Sequence, residues 1–413
     1  MDDTMQTFDV VIVGAGLVGA TLASLLDKSM MKKPLSIAVI DAHDKPESPA
    51  AINNQSESEP QFDARVVALN LASRQLLEHV GVWSDLQSQP ICPYRDMTVW
   101  DSEGTGEIHF QAQDIPCDQL GYIVENTRVL QALLDRLQGN KQVKLVYGVS
   151  LERMQQCEQS MRLELSDGQI LSAPLVIAAD GAHSKVRQLM GFRIREWSYQ
   201  QQAIVTTVRC EHSHQFTAWQ NFLPTGPLAF LPLGHPSEHY CSIVWSLDST
   251  LADDAMSLAD SVFADKLGSA FEYRLGRIEH VSERFCFPLI QRHAIDYITN
   301  HVALVGDAAH TIHPLAGQGV NLGLLDARVL AAEIERAIER DLPLSEFSLL
   351  QRYQRQRKLH NLEAMAVMEG LKRLFGSREP AIRWLRNSGL SKINTLTPLK
   401  NWLAKQAIGL DNL

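Results

Sequence analysis

Short apolar runs without polar alternation mark the candidate buried strands of this chain. The first spans residues 8–13 (FDVVIV) and leads through a glycine-rich turn into a helical stretch from Ala20 to Leu26. Similar runs end at Ile40 (SIAVI), at Ala179 (LVIAA) and at Val305 (VALV). Strands of a parallel sheet are buried on both faces and read as continuous apolar runs. The pattern therefore predicts an α/β domain around a parallel sheet.

The stretch between residues 203 and 289 contains a second and denser set of strand patterns. They are AIVTTV, LAFLPL, CSIVWSL and RFCFPL, with one helix predicted near residues 257–267. Residues 97–110 alternate around two glycines and predict a hairpin. Three strands are predicted between residues 143 and 178, and helical patterns lie at residues 72–79, at 126–137 and after residue 346. Residues 43–61 are polar and predict a mobile loop.

Composition narrows the class without changing this outline. The chain has 413 residues, enough for two or three domains, and 38 Lys and Arg against 48 Asp and Glu give a net charge of −10. A hydrophobic share of 45% excludes disordered and collagen-like chains. Six scattered cysteines without a C-x-x-C pair indicate reduced thiols in a cytoplasmic protein. Residues 10–26 are uncharged but follow three Asp, so we expect neither a secretory signal nor a membrane-spanning helix there.

The first candidate motif is G-x-G-x-x-G at Gly14, Gly16 and Gly19, between a predicted strand and a predicted helix. These glycines allow a tight turn, close approach of a pyrophosphate, and helix–strand contact. Asp41 ends the second strand, 22 positions after Gly19, where its carboxylate can accept hydrogen bonds from ribose hydroxyls. This context predicts dinucleotide binding, with a packing-only turn as the alternative.

Two further turns follow predicted buried strands. Asp180 and Gly181 begin DGAHSKVR, which taken alone is better explained as a strand end, a turn and a Ser N-cap. Gly306 and Asp307 begin GDAAHTIHPLAGQGVNLG, where the Asp can hold a polyol and a helix starting near Gly319 directs N–H groups at a flat ring. The elements then divide into a nucleotide-binding α/β domain over residues 1–88, 121–192 and 286–345, an inserted β-rich domain over 89–120 and 193–285, and a helical C-terminal region over 346–413.

With these motifs the chain resembles the FAD-dependent aromatic hydroxylases, flavoprotein monooxygenases of the p-hydroxybenzoate hydroxylase type. The segments FDARVVALNLASRQLLEHVGVW, LGYIVENTRVL and GDAAHTIHPLAGQGVNLG are similar to the ubiquinone-biosynthesis hydroxylases, most of all to the bacterial 2-polyprenylphenol 6-hydroxylases. The resemblance implies a Rossmann-like FAD-binding domain with an inserted β-rich substrate domain and a helical C-terminus. It also implies hydroxylation of a polyprenylphenol ring with NAD(P)H and O₂ through a flavin C4a-hydroperoxide.

The same resemblance implies roles for individual residues. G-x-G-x-x-G would bind the ADP part of FAD, Asp180 and Gly181 would lie between FAD and the nicotinamide donor, and Gly306 and Asp307 would hold the ribityl chain. Arg65 would lie beside the flavin, and Arg128 would contact the FAD phosphates or the ribityl chain. Many relatives carry Glu where this chain has Asp41. Pro314, Gly317 and Gly319 are candidates for positioning the hydroperoxide through their backbone, and Gly319, Val320 and Asn321 are candidates for binding the cofactor.

Several alternatives remain open at this stage. His310 and His313 are each a candidate base or a structural residue. Cys210, His212 and His214 would share one face of a strand and could bind zinc with His239 or Cys241, although exposed polar residues explain them better. The hydroxylation could also occur at another ring position or on a small soluble aromatic, or the chain could be a non-catalytic FAD-bearing scaffold of a biosynthetic complex.

The C-terminal region carries much of the positive charge. Residues 351–405 contain twelve Lys and Arg and three Glu, a net charge of +9 against −19 for the remainder. Apolar residues recur every three positions from Leu359 to Leu374, which predicts either a helix packed on the FAD domain or a basic amphipathic helix at the inner face of a membrane or in a biosynthetic complex. No motif predicts a nucleic-acid partner or a resident metal, and a homo-oligomer is left open.

Overall fold

Strands buried on both faces form the centre of the molecule, as the uninterrupted apolar runs predict. The computed structural model describes residues 5–27, 33–46, 59–115, 117–312 and 317–376, together with the single positions 379, 400, 401, 405 and 409. Its strands in chain order are β1 (Gln6–Thr7), β2 (Val10–Val13), β3 (Ile37–Ile40), β4 (Val66–Leu69), β5 (Cys92–Tyr94), β6 (Asp96–Asp101), β7 (Glu107–Gln111), β8 (Gly121–Glu125), β9 (Val143–Val146), β10 (Leu151–Gln156), β11 (Met161–Leu165), β12 (Ile170–Ala173), β13 (Leu175–Ala178), β14 (Ile194–Cys210), β15 (Thr217–Leu223), β16 (Gly226–Pro232), β17 (Tyr240–Asp248), β18 (Ile278–Val281), β19 (Phe285–Ala294), β20 (Ile298–Thr299), β21 (Val302–Leu304) and β22 (His310–Thr311).

The helices of the described residues fall between and after these strands. They are α1 (Leu17–Leu25), α2 (Leu71–His79), α3 (Trp83–Gln87), α4 (Asn126–Leu137), α5 (Lys185–Leu189), α6 (Ser249–Ser257), α7 (Asp260–Ala270), α8 (Gln318–Glu339) and α9 (Phe347–Gly376), with short 3-10 helices at Ala112–Asp114 and Gly306–Ala308. None of the helices in the described part of the chain is both long and apolar enough to span a bilayer.

A six-stranded sheet positions the three glycine-containing turns. Its order is β20-β21-β13-β2-β3-β9, and every neighbouring pair except β20 with β21 is parallel. The carboxyl ends of parallel strands meet at one edge, where a doubly wound sheet binds its ligand. The residues that follow β2, β3, β13 and β21 therefore come together at that edge. Helices α1 and α8 pack on this sheet through the main hydrophobic core.

A nine-stranded sheet forms the second large unit. The order is β22-β19-β14-β17-β16-β15-β6-β7, and β18 pairs with β14. Alternate residues of its central strands, among them Ile204, Phe230 and Ile243, join a core that includes Ala252 of α6 and Phe263 of α7. The outer face is thus covered by these two helices, and the intervening residues of the same strands point to the inner face.

The observed elements differ from the predicted ones where the apolar pattern is weak. Strand β14 begins at residue 194, nine residues before the predicted strand. The pattern missed residues 194–202 because they are mostly polar, are partly exposed and show no strand alternation. Residues 143–178 form five strands rather than three, and the predicted helix at residues 257–267 is the pair α6 and α7. The predicted helices at residues 72–79 and 126–137 correspond to α2 and α4.

Strand pairing also refines the division into domains. Strand β19, most of which was assigned by its position to the α/β domain, pairs with β14 in the nine-stranded sheet. Strand β5 was assigned to the inserted domain but pairs with β8 in a three-stranded sheet together with β4. The predicted domain ranges and the observed sheets differ at these points, because composition does not reveal which strand a segment pairs with. The domain division itself stays a prediction.

Helix α9 contacts both large sheets. The Tyr353 hydroxyl donates to the carbonyl of Leu304 in β21 at 2.6 Å. At the other end of the helix, the Phe375 ring stacks on Phe222 of β15 with 3.7 Å between centroids. The predicted apolar stripe packs only in part: Leu359 is 62% exposed and Leu362 is 42% exposed, whereas Met365 is buried. A spacing of three residues falls short of the 3.6-residue turn, so the stripe drifts around the helix and cannot stay on one face.

Candidate active site

The glycines of the first motif have three different surroundings. Gly14 has φ +106°, and a Cβ built on it would lie 2.3 Å from the carbonyl oxygen of Ala179. A Cβ on Gly19 would lie 2.0 Å from the carbonyl oxygen of Gly14. A Cβ on Gly16 would meet no atom within 4 Å. Gly14 and Gly19 thus allow the strands and helix to pack closely, and the free space at Gly16 fits the approach of a pyrophosphate to the helix N-terminus.

Asp41 lies at the same turn, at the end of β3. Its Oδ2 accepts a hydrogen bond from the Ala15 N–H at 2.7 Å, and its Oδ1 accepts one from the His43 N–H at 2.9 Å. The carboxylate is partly exposed and retains lone pairs beyond these bonds. The position fits a ribose ligand, and the ribose contact itself stays a prediction.

The turn after β21 presents an exposed carboxylate. The Asp307 side chain is open to solvent but crowded by surrounding protein, which raises its pKa, while the nearby charges of His310 and Arg65 lower it. Gly317, with φ +61°, caps helix α8, which begins at Gln318 rather than Gly319. The first-turn N–H groups of a helix, here including those of Gly319 and Val320, create a region of positive potential at its N-terminus.

Arg65 lies between this turn and the nine-stranded sheet. Its guanidinium carbon lies 4.9 Å from the centroid of the Phe287 ring, and its charge reaches Asp307 as described above. Arg65 is exposed. This placement is compatible with the expected position beside the flavin.

Arg128 is held inside the protein. It is 4% exposed, its Nε donates to the Glu125 carboxylate, and one terminal nitrogen donates to Gln89 Oε1 at 2.9 Å. Glu125 in turn accepts the Asp63 N–H at 2.7 Å. The arrangement shown by these contacts supports the segment that carries Arg65, and a direct contact of Arg128 with FAD stays a prediction.

The Asp180-Gly181 turn begins the short helix α5. Asp180 Oδ2 accepts the N–H groups of Lys185 and Val186 at 2.7 and 3.1 Å, and burial raises its pKa despite these bonds. Arg187, 5% exposed, donates to the carbonyls of Ala308 at 2.9 Å and Ala182 at 2.7 Å. It thereby ties this turn to the turn of Asp307. Arg187 lies within the DGAHSKVR segment, but nothing in the local sequence indicates its contact with the Ala308 carbonyl.

Asn321 has a different surrounding from the one expected of a cofactor ligand. Its Oδ1 accepts hydrogen bonds from the Asn70 N–H at 3.1 Å and the Ser73 hydroxyl at 2.7 Å, and its Nδ2 donates to the Ala68 carbonyl at 2.8 Å. The side chain therefore joins the start of α8 to the β4–α2 connection. Pro314 and His313 lie outside the described residues.

His310 is enclosed below the Asp307 turn. It is 1% exposed, and its Nε2 lies 2.6 Å from Asp326 Oδ2. Its Nδ1 is buried without a hydrogen-bond partner among the described residues. The geometry favours the structural interpretation of His310 over that of a base reached by substrate.

The proposed zinc ligands do not converge. Strand β14 ends at Cys210, so His212 and His214 lie beyond it, and His212 is exposed while His214 is buried. His239 Nδ1 contacts the Cys210 carbonyl oxygen at 2.8 Å. In the described part of the chain, no group of three or more His, Cys, Asp or Glu side chains is arranged to hold a metal ion. The premise of a shared strand face was therefore wrong.

The inner face of the nine-stranded sheet carries a row of half-buried apolar side chains beside Arg65. Ala229 pairs with Val244, Val244 with Val205, and Val205 with Phe285, so the row crosses four neighbouring strands. Phe287, the ring under Arg65, lies two residues further along the same face. We call Ala229, Val244, Val205 and Phe285 the apolar row. It is suited to contact a flat apolar ligand next to the Asp307 turn.

The arrangement as a whole fits FAD. Free space at Gly16, the helix N-termini, the open Asp307 carboxylate and Asp180 Oδ1, which has no hydrogen-bond partner among the described residues, all lie around one sheet edge. This combination defines a flavin-binding class of protein. The profile of the FAD binding domain family matches residues 7–367, and the chain belongs to this family of FAD-dependent monooxygenases. The predicted resemblance to FAD-dependent hydroxylases and the predicted fold class are confirmed, and the finer resemblance to the 2-polyprenylphenol 6-hydroxylases stays a prediction.

Curated relatives place the chain more narrowly. It is 35% identical over 407 residues to the 3-demethoxyubiquinol 3-hydroxylase of Escherichia coli K12, covering 98% of this chain and 100% of that protein. It is 37% identical over 404 residues to the ubiquinone hydroxylase UbiL of Rhodospirillum rubrum, covering 97% and 89%. It is 32% identical over 440 residues to the human mitochondrial ubiquinone biosynthesis monooxygenase COQ6, covering 96% and 92%.

Solved structures share the fold. The p-nitrophenol 4-monooxygenase PnpA of Pseudomonas putida superimposes with a TM-score of 0.76 at 18% identity, covering 98% of this chain and 99% of that one. PqsL of Pseudomonas aeruginosa, a probable FAD-dependent monooxygenase, gives 0.75 at 21% identity, covering 94% and 100%.

Proposed function

We propose that this protein hydroxylates the aromatic ring of a polyprenylated phenol in ubiquinone biosynthesis, with NAD(P)H and O₂ as co-substrates. The observation that carries the proposal is the apolar row beside Arg65 and the Asp307 turn, in a chain whose relatives are ubiquinone hydroxylases. Bound FAD would supply the redox chemistry, with NAD(P)H as the electron donor and O₂ as the electron acceptor.

The protein's own residues bind, orient and exclude water. The first-turn N–H groups of α8 stabilise negative charge beside the cofactor. The apolar row removes water from the ring and holds it against the Asp307 turn. Three groups would hold FAD: the backbone at Gly16 for the pyrophosphate, Asp41 for the ribose and Asp307 for the ribityl chain.

The test is FAD-dependent oxidation of NAD(P)H by the purified protein with two substrates, a prenylated phenol and p-hydroxybenzoate. We expect the prenylated phenol to accelerate oxidation and to gain one oxygen atom, whose position mass spectrometry and NMR identify. Val244→Asp should raise the KM for the prenylated phenol and leave FAD binding intact, because it places a charge in the apolar row.

Val262→Asp provides the matched control, since Val262 is 51% exposed on α7. It should behave as the wild type. If p-hydroxybenzoate alone accelerates NAD(P)H oxidation, the substrate is a small soluble aromatic compound. If the protein binds FAD but neither phenol accelerates its oxidation of NAD(P)H, the non-catalytic scaffold is favoured instead.

We also propose that the outer face of α9 is the site of a peripheral contact with anionic lipid, from which a polyprenyl substrate is collected. Leu359, Leu362 and Val367 are 62%, 42% and 57% exposed on this face. Arg355 and Arg373 are exposed on the same helix. Exposed apolar side chains flanked by Arg are typical of helices that lie in a membrane interface.

A further inference from the structure

A buried ion-pair network joins α9 to the turn of the GD motif. Asp326 of α8 is fully buried. Its Oδ2 accepts the Gly306 N–H at 2.9 Å and lies 2.6 Å from His310 Nε2. Because an ionised carboxylate only accepts hydrogen bonds, His310 Nε2 carries the proton and donates. One oxygen atom thus holds both ends of the turn that presents Asp307.

The second carboxylate oxygen is held from α9. Arg357, 3% exposed, donates from Nε to Asp326 Oδ1 at 2.7 Å. It also donates to the Asn361 Oδ1 at 2.8 Å and to the Leu322 carbonyl at 3.3 Å. The guanidinium is therefore fixed by both α8 and α9. Burial alone raises the pKa of Asp326, but His310 and Arg357 outweigh it and lower that pKa to about 2.

The network has a direct bearing on the backbone of the turn. Gly306 has φ +57°, and a Cβ built on it would lie 3.1 Å from Val18 of α1. The turn is therefore confined between α1 and the Asp326 carboxylate. Asp307, the next residue, points to solvent at the cofactor edge, so a small rotation of the turn displaces its carboxylate.

We propose that Asp326 and Arg357 are positioning residues for the FAD-binding turn: Asp326 fixes Gly306 and His310, and Arg357 fixes Asp326, so that docking of α9 sets the affinity for FAD. Neither side chain needs to touch the cofactor. The coupling arises because a buried carboxylate that loses its cation must move or take up a proton, and either change releases the turn.

The experiment compares Asp326→Asn and Arg357→Gln with a matched control, Glu333→Gln. Glu333 is also a buried carboxylate of α8, 2% exposed, and it also pairs with an arginine of α9, at 3.9 Å between its Oε2 and Arg352 Nε. It lies about two helical turns from Asp326. Three readouts are taken: the FAD Kd of the apoprotein from flavin fluorescence, the thermal midpoint of the apoprotein, and the visible circular dichroism of the bound flavin.

We expect Asp326→Asn and Arg357→Gln to raise the FAD Kd at least about tenfold and to change the flavin dichroism, the size typical of losing an outer positioning group. Glu333→Gln should lower the apoprotein midpoint comparably and change the Kd less than about threefold. Arg357→Lys keeps the positive charge but loses the planar guanidinium with its fixed set of donors. The FAD Kd of this variant should therefore lie between those of the wild type and Arg357→Gln.

Two results would overturn the proposal. One is wild-type FAD affinity and dichroism in both Asp326→Asn and Arg357→Gln. The other is an equal loss of affinity in Glu333→Gln, which would attribute the effect to general packing of α8 on α9. If Asp326→Asn yields no soluble protein, Arg357→Lys decides: a Kd raised at least about threefold supports the coupling and an unchanged Kd refutes it.

Discussion

His293 of β19 is a buried neutral residue beside the network of Asp326. It is 5% exposed, and its Nε2 lies 3.0 Å from the Tyr297 hydroxyl. Burial, followed by electrostatic interactions with His310, Lys358 and Arg195, lowers its pKa to about 4. Protonation of His293 is therefore unfavourable in the folded protein. Acidic pH consequently favours unfolding, because the unfolded chain binds this proton more readily.

The free energy of unfolding should fall as the pH drops from about 6.5 toward 4. In that window the unfolded chain binds a proton at His293, with an ordinary pKa of 6.5, and the folded protein does not. His293→Gln should remove up to about 3 kcal/mol of this dependence, the equivalent of the pKa difference. Urea unfolding of wild type and variant across this pH range measures it. Parallel pH profiles would contradict the assignment.

At the scale of single residues, the sequence identified the groups whose role depends on local spacing. Gly14, Gly16 and Gly19 act within one turn, and Gly306 and Asp307 within another, so their positions in the chain suffice to recognise them. Arg187 and Arg357 act through partners 121 and 31 positions away, at Ala308 and Asp326. Such pairs are created by tertiary packing, and no local sequence pattern predicts them.

At the scale of elements, the strand–turn–helix unit from β2 to α1 contains one glycine that close packing requires and one that it does not. Gly16 and Gly19 belong to the same motif, yet only Gly19 is in close contact with protein, at the Gly14 carbonyl. Gly16 has φ −70° and ψ −177°, an extended conformation that alanine also adopts. The two positions should therefore respond differently to the same substitution.

We expect Gly19→Ala to destabilise the apoprotein by about 1–3 kcal/mol or more, because the new methyl group overlaps the Gly14 carbonyl. Gly16→Ala should leave apoprotein stability within about 0.5 kcal/mol and raise the FAD Kd at least about tenfold by blocking the pyrophosphate. Denaturant unfolding and FAD titration of both variants distinguish the effects. A stable Gly16→Ala protein with full FAD affinity would refute the assignment of this turn to the pyrophosphate.

Elements with continuous apolar runs were predicted from the sequence, and elements without such a run were missed. Buried strands such as β2 and β3 have apolar side chains on both faces and were recognised directly. The first half of β14 has a polar sequence and is a strand because β19 pairs with it, with a bulge between Ser198 and Gln202. In α9 the apolar spacing left open whether the stripe packs on the protein or faces a membrane or partner, and the structure buries Met365 but leaves Leu359 and Leu362 exposed.

At the scale of the whole molecule, charge is unevenly distributed. The segment from residue 351 to 405 has a net charge of +9 and the remainder −19. Part of the positive charge is internal, since Arg357 is buried against Asp326. Arg355 and Arg373 are exposed on the same helix as Leu359 and Leu362. We expect anionic lipid to repel the net-acidic remainder of the chain.

The holoprotein should therefore float with vesicles that contain anionic lipid, and the bound fraction should fall with added salt. Replacing both Leu359 and Leu362 by Ser should reduce that fraction several-fold, because the buried apolar area is lost. Val262→Ser, on the distant α7, serves as the control and should float like the wild type. Equal flotation of the leucine variant would exclude α9 as the contact.

The order of strands in the six-stranded sheet has a consequence for synthesis of the chain. Central β2 is made first, yet one neighbour, β13, follows more than 160 residues later, and β21 beyond it ends at Leu304. The turn at Gly306 meets Val18, and Arg357 closes the arrangement. A nascent chain on the ribosome thus exposes its glycine turn long before it can retain a nucleotide. If docking of α9 sets the affinity for FAD as proposed, we expect cofactor capture to be one of the last events of biogenesis and a prematurely terminated chain that lacks α9 to leave the ribosome without FAD.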